Sequence, residues 1–239
     1  MDDDRDAPRL PRVDPSATAE GLATAYSPEL LASLLADGDD DLAAWSIRQA
    51  LADGPRTAVY DGLVAGAMRI VGERWATGRW TIAEEHLASQ TLLRALEQVR
   101  PELGVAGRIG PLAVLAGVAG EQHMIGLVCI DHVLREGGWT VANLGADVPA
   151  SDLASFIARN DAALVCLTAS QVARTEDVIA AIEAVRATRS GRPPVMLGGR
   201  LGAQPGVAAT FRLDWAGSSL VGAARFAESV FAGLPAANG

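Results

Sequence analysis

The fold of this chain turns on residues 111–145, PLAVLAGVAGEQHMIGLVCIDHVLREGGWTVANLG. Its first eight residues are a short apolar run of strand length. Residues 122–136 then repeat apolar side chains at helical spacing, and WTVANLG (139–145) returns to a β-branched run. A strand, a helix and a second strand in that order form a crossover unit, which joins parallel strands. The alternation continues toward the C-terminus. AALVCLTAS (162–170), PPVMLGG (193–199) and LDWAGS (213–218) read as further strands, and helices are predicted at about 150–159, 173–188, 205–211 and 219–233. The expected fold class of this half is α/β, a flavodoxin/Rossmann-like doubly wound parallel sheet, which holds ligands beyond the carboxyl ends of its strands.

Upstream the texture is helical. SPELLASLLADG places Ser27 as N-cap, Pro28 in the first turn and Gly38 as a stop. A second helix is expected from Asp40 or Asp41 through LAAWSIRQALADG. A third, RTAVYDGLVAGAMRIVGERWATG, reads as about five uninterrupted turns closing near Gly78. The fourth opens on Thr81 and Glu84, which have capping-box spacing, and runs to the residue before Pro101. The expected organisation is an acidic, unstructured leader over 1–26, a four-helix bundle over 27–104 and the sheet domain over 105–239.

A net charge of −9 without a basic cluster disfavours direct nucleic-acid binding. No apolar run reaches the roughly 18 residues of a membrane span, and the first twenty residues lack the features of a secretory or transit peptide. The chain therefore reads as a soluble cytoplasmic protein. Cys129 and Cys166 sit in apolar surroundings without paired spacing, and read as buried core thiols.

His123, one of three histidines, falls in the loop after the first strand, at the edge where such sheets bind ligands. Alone it would be a surface or capping residue. Thr168 and Ser170 reach the same edge after the third strand, and Gly198 and Gly199 after the fourth. Glu121 is close enough to join a hydrogen-bonded relay with the imidazole. No G-x-G-x-x-G follows the first strand, which argues against a dinucleotide site. The order Glu121-x-His123-x-x-Gly126, then 41 residues to Thr168-x-Ser170, then 27 to Gly198-Gly199, resembles the D-x-H-x-x-G, S-x-L, G-G signature of vitamin B12-binding domains. Glu replaces Asp, Thr replaces Ser, and Ser170 replaces an apolar residue. The resemblance implies that His123 is the lower axial ligand of cobalt, that Glu121 orients it, and that the nucleotide tail of cobalamin passes Gly126, Thr168 and the glycine pair.

In the fourth helix Ile82, His86, Ser89, Leu93 and Leu96 are three or four residues apart and share a face. By itself His86 reads as a core histidine, Glu85 as a solvated first-turn acid and Trp75 as core. Together, Trp75 with Glu85 and His86 ten and eleven residues later resemble the W-x9-E-H motif of B12-dependent photoreceptors of the CarH and LitR type. That resemblance implies a bundle capping the upper face of adenosylcobalamin, with these three residues around the adenosyl group and methylcobalamin a lesser ligand. Two features depart from it. The leader stands where those regulators carry a MerR-type DNA-binding domain, so the output is expected to pass through a protein partner, such as a transcription factor or another regulator, or through homo-oligomer formation. Ala76 stands where the photoreceptors have a second cobalt-capturing histidine. The expected function is a non-enzymatic cobalamin sensor responsive to light. The alternative is a corrinoid methyl carrier for a methyltransferase; the carriers' D-x-H-D-I-G-K-N pattern is broken here by Met124, Leu127 and Val128.

Overall fold

The computed structural model describes residues 26–101, 110–170, 175–188 and 192–234. The expected leader, except for Tyr26, and the expected junction at 104/105 lie outside the described residues. The first helix, α1 (Pro28–Ala36), starts where Ser27 Oγ accepts the Leu30 N–H at 3.1 Å, and the chain turns out of it at Gly38, φ +74°. In α2 (Asp40–Asp53), Asp39 Oδ1 accepts the Leu42 N–H at 2.9 Å. The box predicted for α5 (Ile82–Gln98) is formed: Glu84 N–H donates to Thr81 Oγ1 at 3.3 Å and Thr81 N–H to Glu84 Oε2 at 2.6 Å. These local bonds absorb backbone donors that a helix start leaves unpaired.

The third helix departs from expectation. It runs as α3 (Arg56–Val59), a π-helical turn (Tyr60–Val64) and α4 (Ala65–Ala76). An extra residue in one turn is invisible to a reading that assumes 3.6 residues per turn. Gly66 lets α1 approach closely, because a β-carbon there would lie 2.9 Å from Pro28 Cγ. Leu31, Leu35, Ile47, Leu92 and Leu96 are fully buried in the bundle, each contributing about 1.5–3 kcal/mol.

The inward stripe of α5 is Ala88, Thr91, Leu92, Ala95 and Leu96. Of the face expected from spacing, only Leu96 is in the core; Ile82 is 59% exposed and His86 is exposed as well. The stripe extended one turn back reaches Glu85, which is half-buried. Spacing alone defines several overlapping faces on a helix, and the packing partner selects among them.

The sheet consists of β1 (Leu112–Gly117), β2 (Thr140–Asn143), β3 (Leu164–Thr168), β4 (Val195–Gly198) and β5 (Trp215–Ala216), all parallel in the order β2-β1-β3-β4-β5. The order in which successive strands are added reverses between β1 and β3, the switch point at which such sheets hold ligands. Helix α6 (Ile125–Glu136) follows β1 and starts three residues later than expected, leaving His123 in a true loop. Helices α7 (Ala150–Asn160) and α8 (Thr175–Ala187) cover one face. A short turn that was not expected, α9 (Gly199–Gly202), follows β4; the expected helix at 205–211 is α10 (Val207–Phe211), and α11 (Leu220–Gly233) closes the fold. One apolar cluster fills the sheet beneath α7 and α8; the other is continuous from the bundle through α6 and α11 onto the opposite face. No helix among the described residues is long and apolar enough to cross a membrane.

Candidate functional site

The loop from β1 to α6 is held from below. Glu121 N–H donates to Val118 O at 2.8 Å, Gly120 N–H donates to Asp147 Oδ1 at 2.6 Å, and Asp147 N–H donates to Glu121 O at 2.9 Å. This bracing turns the Glu121 side chain inward, where it is 2% exposed. Its carboxylate accepts from the His123 backbone N–H at 2.8 Å, from His123 Nδ1 at 2.5 Å, and from Ser170 N–H at the end of β3.

Burial alone would raise the Glu121 carboxyl, but these three hydrogen bonds outweigh it and hold the group down at about 2. The same bond from Glu121 raises the His123 imidazole, against the opposing effects of burial and of nearby Arg200; the charge of Glu85 adds to the rise. An ionised carboxylate only accepts hydrogen bonds, so in the neutral ring the proton sits on Nδ1 and the lone pair on Nε2. With its side chain 63% exposed, His123 is a residue that could hold a metal through its far nitrogen. Among the described residues no three His, Cys, Asp or Glu side chains converge as a metal site.

Below His123 lies a cavity of about 460 Å³, within the range of roughly 300–1,000 Å³ usual for small-molecule sites. His123, Gly126, Thr168, Ser170, Gly198 and Gly199 all line it. The glycines differ in why they are bare. A β-carbon at Gly199, φ +79°, would lie 2.5 Å from the Ala169 carbonyl oxygen, so the fold itself requires glycine there. At Gly126 a β-carbon would meet nothing within 4 Å, and at Gly198 only Leu167 O at 3.7 Å; their bareness leaves room in the cavity. The deeper wall is apolar and sulfur-rich. Cys129 and Cys166 are buried as expected and also line this cavity; burial pushes both thiols up to about 12, so they remain neutral. Such a lining suits a flat aromatic base.

Trp75, Glu85 and His86 do not line that cavity. Trp75 ends α4 and is 51% exposed; Glu85 and His86 open α5. Neither Trp75 nor His86 is a core residue. Glu85 accepts from Ser89 Oγ at 2.7 Å and stands 3.6 Å from His86 Nε2.

Sequence reasoning missed the cavity's bundle side, formed by Tyr60, Asp61, Val64, Ala65, Met68 and Arg69. It also missed what ties this wall to the sheet domain. Arg56 donates to Tyr60 Oη at 2.7 Å, and Tyr60 is 2.8 Å from His132 Nδ1. A guanidinium only donates, so Tyr60 Oη accepts from Arg56 and its own O–H is available to His132 Nδ1. Burial and the nearby Arg56 lower the His132 imidazole to about 4. This histidine is engaged at the junction and 2% exposed.

Two models of the B12 binding domain match the chain, one over residues 111–214 and one over residues 29–100. The chain is 34% identical over 157 residues to the HTH-type transcriptional repressor CarA of Myxococcus xanthus, covering 65% of this chain and 51% of that protein. With the repressor CarH of the same organism it shares 32% over 156 residues, covering 63% and 50%. With trimethylamine corrinoid protein 1 of Methanosarcina mazei it shares 31% over 121 residues, covering 48% and 55%. The chain thus spans about half the length of the curated relatives it matches. Among solved structures, the monomethylamine corrinoid protein of Methanosarcina barkeri superposes with a TM-score of 0.72 at 18% identity, over 86% of this chain and 98% of that one, which speaks to fold. The bundle with its flavodoxin-like sheet is the architecture of a corrinoid protein, and the chain is a cobalamin-binding protein of the B12-binding-domain family, homologous to the CarA and CarH repressors.

Proposed function

We propose that this protein is a cobalamin-dependent sensor. In this reading His123 Nε2 would hold the cobalt, Glu121 would fix the imidazole and raise its basicity, and the cavity beneath would receive the nucleotide tail. Trp75, Glu85 and His86 cover the opposite face, the indole excluding water while the carboxylate and imidazole hydrogen-bond an adenosyl group. When bound, an adenosyl- or methylcobalamin supplies a cobalt–carbon bond that light can break. What the chain contributes is the clamp between bundle and sheet, whose equilibrium shifts only by the ligand's differential affinity for the closed and open arrangements. The output passes to a protein partner or through homo-oligomerisation.

The observation that carries this reading is the state of the bundle. Its core is complete without Trp75 and His86, which stay exposed at the turn joining α4 to α5, and Glu85 lies near enough to act electrostatically on His123. Homology to the CarA and CarH repressors supports a regulatory role. Similarity to the trimethylamine corrinoid protein favours a second reading, a methyl carrier. Against it stand Met124, Leu127 and Val128 in place of the carriers' polar residues.

The test is to load the purified chain with adenosylcobalamin and with methylcobalamin in the dark and to follow absorption and molecular mass before and after illumination. A sensor changes its mass or partner binding on illumination and prefers the adenosyl form. Unchanged mass and partner binding, with methyl transfer to an acceptor, would establish the carrier instead.

A further inference from the structure

The cavity beneath His123 is walled on two sides by different parts of the chain. The sheet side supplies residues such as Ile125, Cys166 and Trp215. The bundle side is one segment, the π-helical turn (Tyr60–Val64) and the first residues of α4. That segment is also the fastening between the two units. Asp61 accepts from Ser219 Oγ at 2.9 Å, from Leu220 N–H at 2.8 Å and from Val221 N–H at 3.2 Å, which caps α11 from outside. Tyr60 is bonded to His132 on α6. A π-turn adds a residue to the helix and is retained mostly where it serves a site.

From this we infer that the π-turn gauges the lower tail of the corrinoid: the bundle senses the tail from below as well as the upper ligand from above. This deepens the cobalamin-binding reading and rests on it. A tail-bearing corrinoid fills the cavity and packs against Val64, Ala65 and Met68, so tail binding and bundle docking stabilise each other. Arg69 and Arg200, both exposed at the cavity, offer positive charge to the tail's phosphodiester. On its lower side, a corrinoid without the nucleotide tail meets His123 and leaves the π-turn untouched. The ligand class selected is therefore the complete, tail-bearing corrinoid.

The test compares methylcobalamin with methylcobinamide, which lacks the tail, in the dark. Hydrogen exchange on the wild-type chain is expected to slow at amides 60–69 with methylcobalamin and to stay unchanged with methylcobinamide. Ala65 faces the cavity and is absent from the bundle core, so Ala65→Phe fills the space without disturbing that core. It is expected to weaken methylcobalamin about tenfold or more and methylcobinamide by less than about twofold, with an unchanged circular dichroism spectrum. Equal exchange with both corrinoids, or equal weakening of both by Ala65→Phe, overturns the gauge alone. A wild-type chain that takes up neither corrinoid overturns the reading of the site and the gauge with it.

Discussion

The two faces that would enclose a corrinoid are built to different standards. On the sheet side, a buried carboxylate accepts three hydrogen bonds and fixes one imidazole. On the bundle side, Trp75 is half exposed and His86 is exposed beside Glu85, 3.6 Å away. The lower face is organised by the protein's own hydrogen bonds, whereas the upper face presents the exposed side chains of Trp75 and His86. A group pinned by hydrogen bonds to its surroundings keeps its geometry whatever the ligand, while exposed groups acquire theirs on closing. In this account the lower face supplies constant affinity and the upper face the discrimination on which sensing depends.

Substitutions on the two faces should therefore fail differently. His123→Ala is expected to have the largest effect, abolishing the absorption spectrum of histidine-ligated cobalamin; an unaltered spectrum would remove His123 as ligand. Glu121→Gln should lower cobalamin affinity about 10- to 100-fold, equally for adenosyl- and methylcobalamin, because it acts on the shared lower face. A loss confined to one form would show that the faces are not separable. Trp75→Ala should weaken adenosylcobalamin about 3- to 10-fold and methylcobalamin less. Equal losses by titration would end its role in discrimination.

The smallest effect at neutral pH is expected at His132, which serves the junction. Its imidazole is lowered from 6.5 to about 4, so the unfolded chain takes up a proton first as pH falls. The stability tied to the neutral ring is complete above pH 6.5 and is lost as pH drops toward 4, by on the order of 3 kcal/mol. His132→Gln should flatten that part of the denaturation-against-pH curve; an unchanged slope would show that the ring is not the titrating group.

What could be read from the sequence divides along the distance over which each bond acts. Ser27 before Pro28 and Thr81 before Glu84 specify their helix starts within three residues, and both caps are formed. The five apolar strands and the loop carrying His123 were equally legible, because strand length and alternation are local. The bond from Ser170 to Glu121 spans 49 residues, and that from Ser219 to Asp61 spans 158. No periodicity encodes such pairs. The π-turn was hidden because Tyr60, Leu63 and Val64 satisfy an α-helical pattern equally well. Hence the sheet half of the cavity was visible beforehand and the bundle half was not.

The central claim, that the nitrogen beneath cobalt comes from His123, can be read from electron paramagnetic resonance. The chain is produced with 15N-labelled histidine, loaded with unlabelled cobalamin and reduced to the cobalt(II) state. Doublet superhyperfine splitting, lost in His123→Ala, is the predicted result. Triplet splitting from the 14N of the cofactor's own benzimidazole would contradict the account.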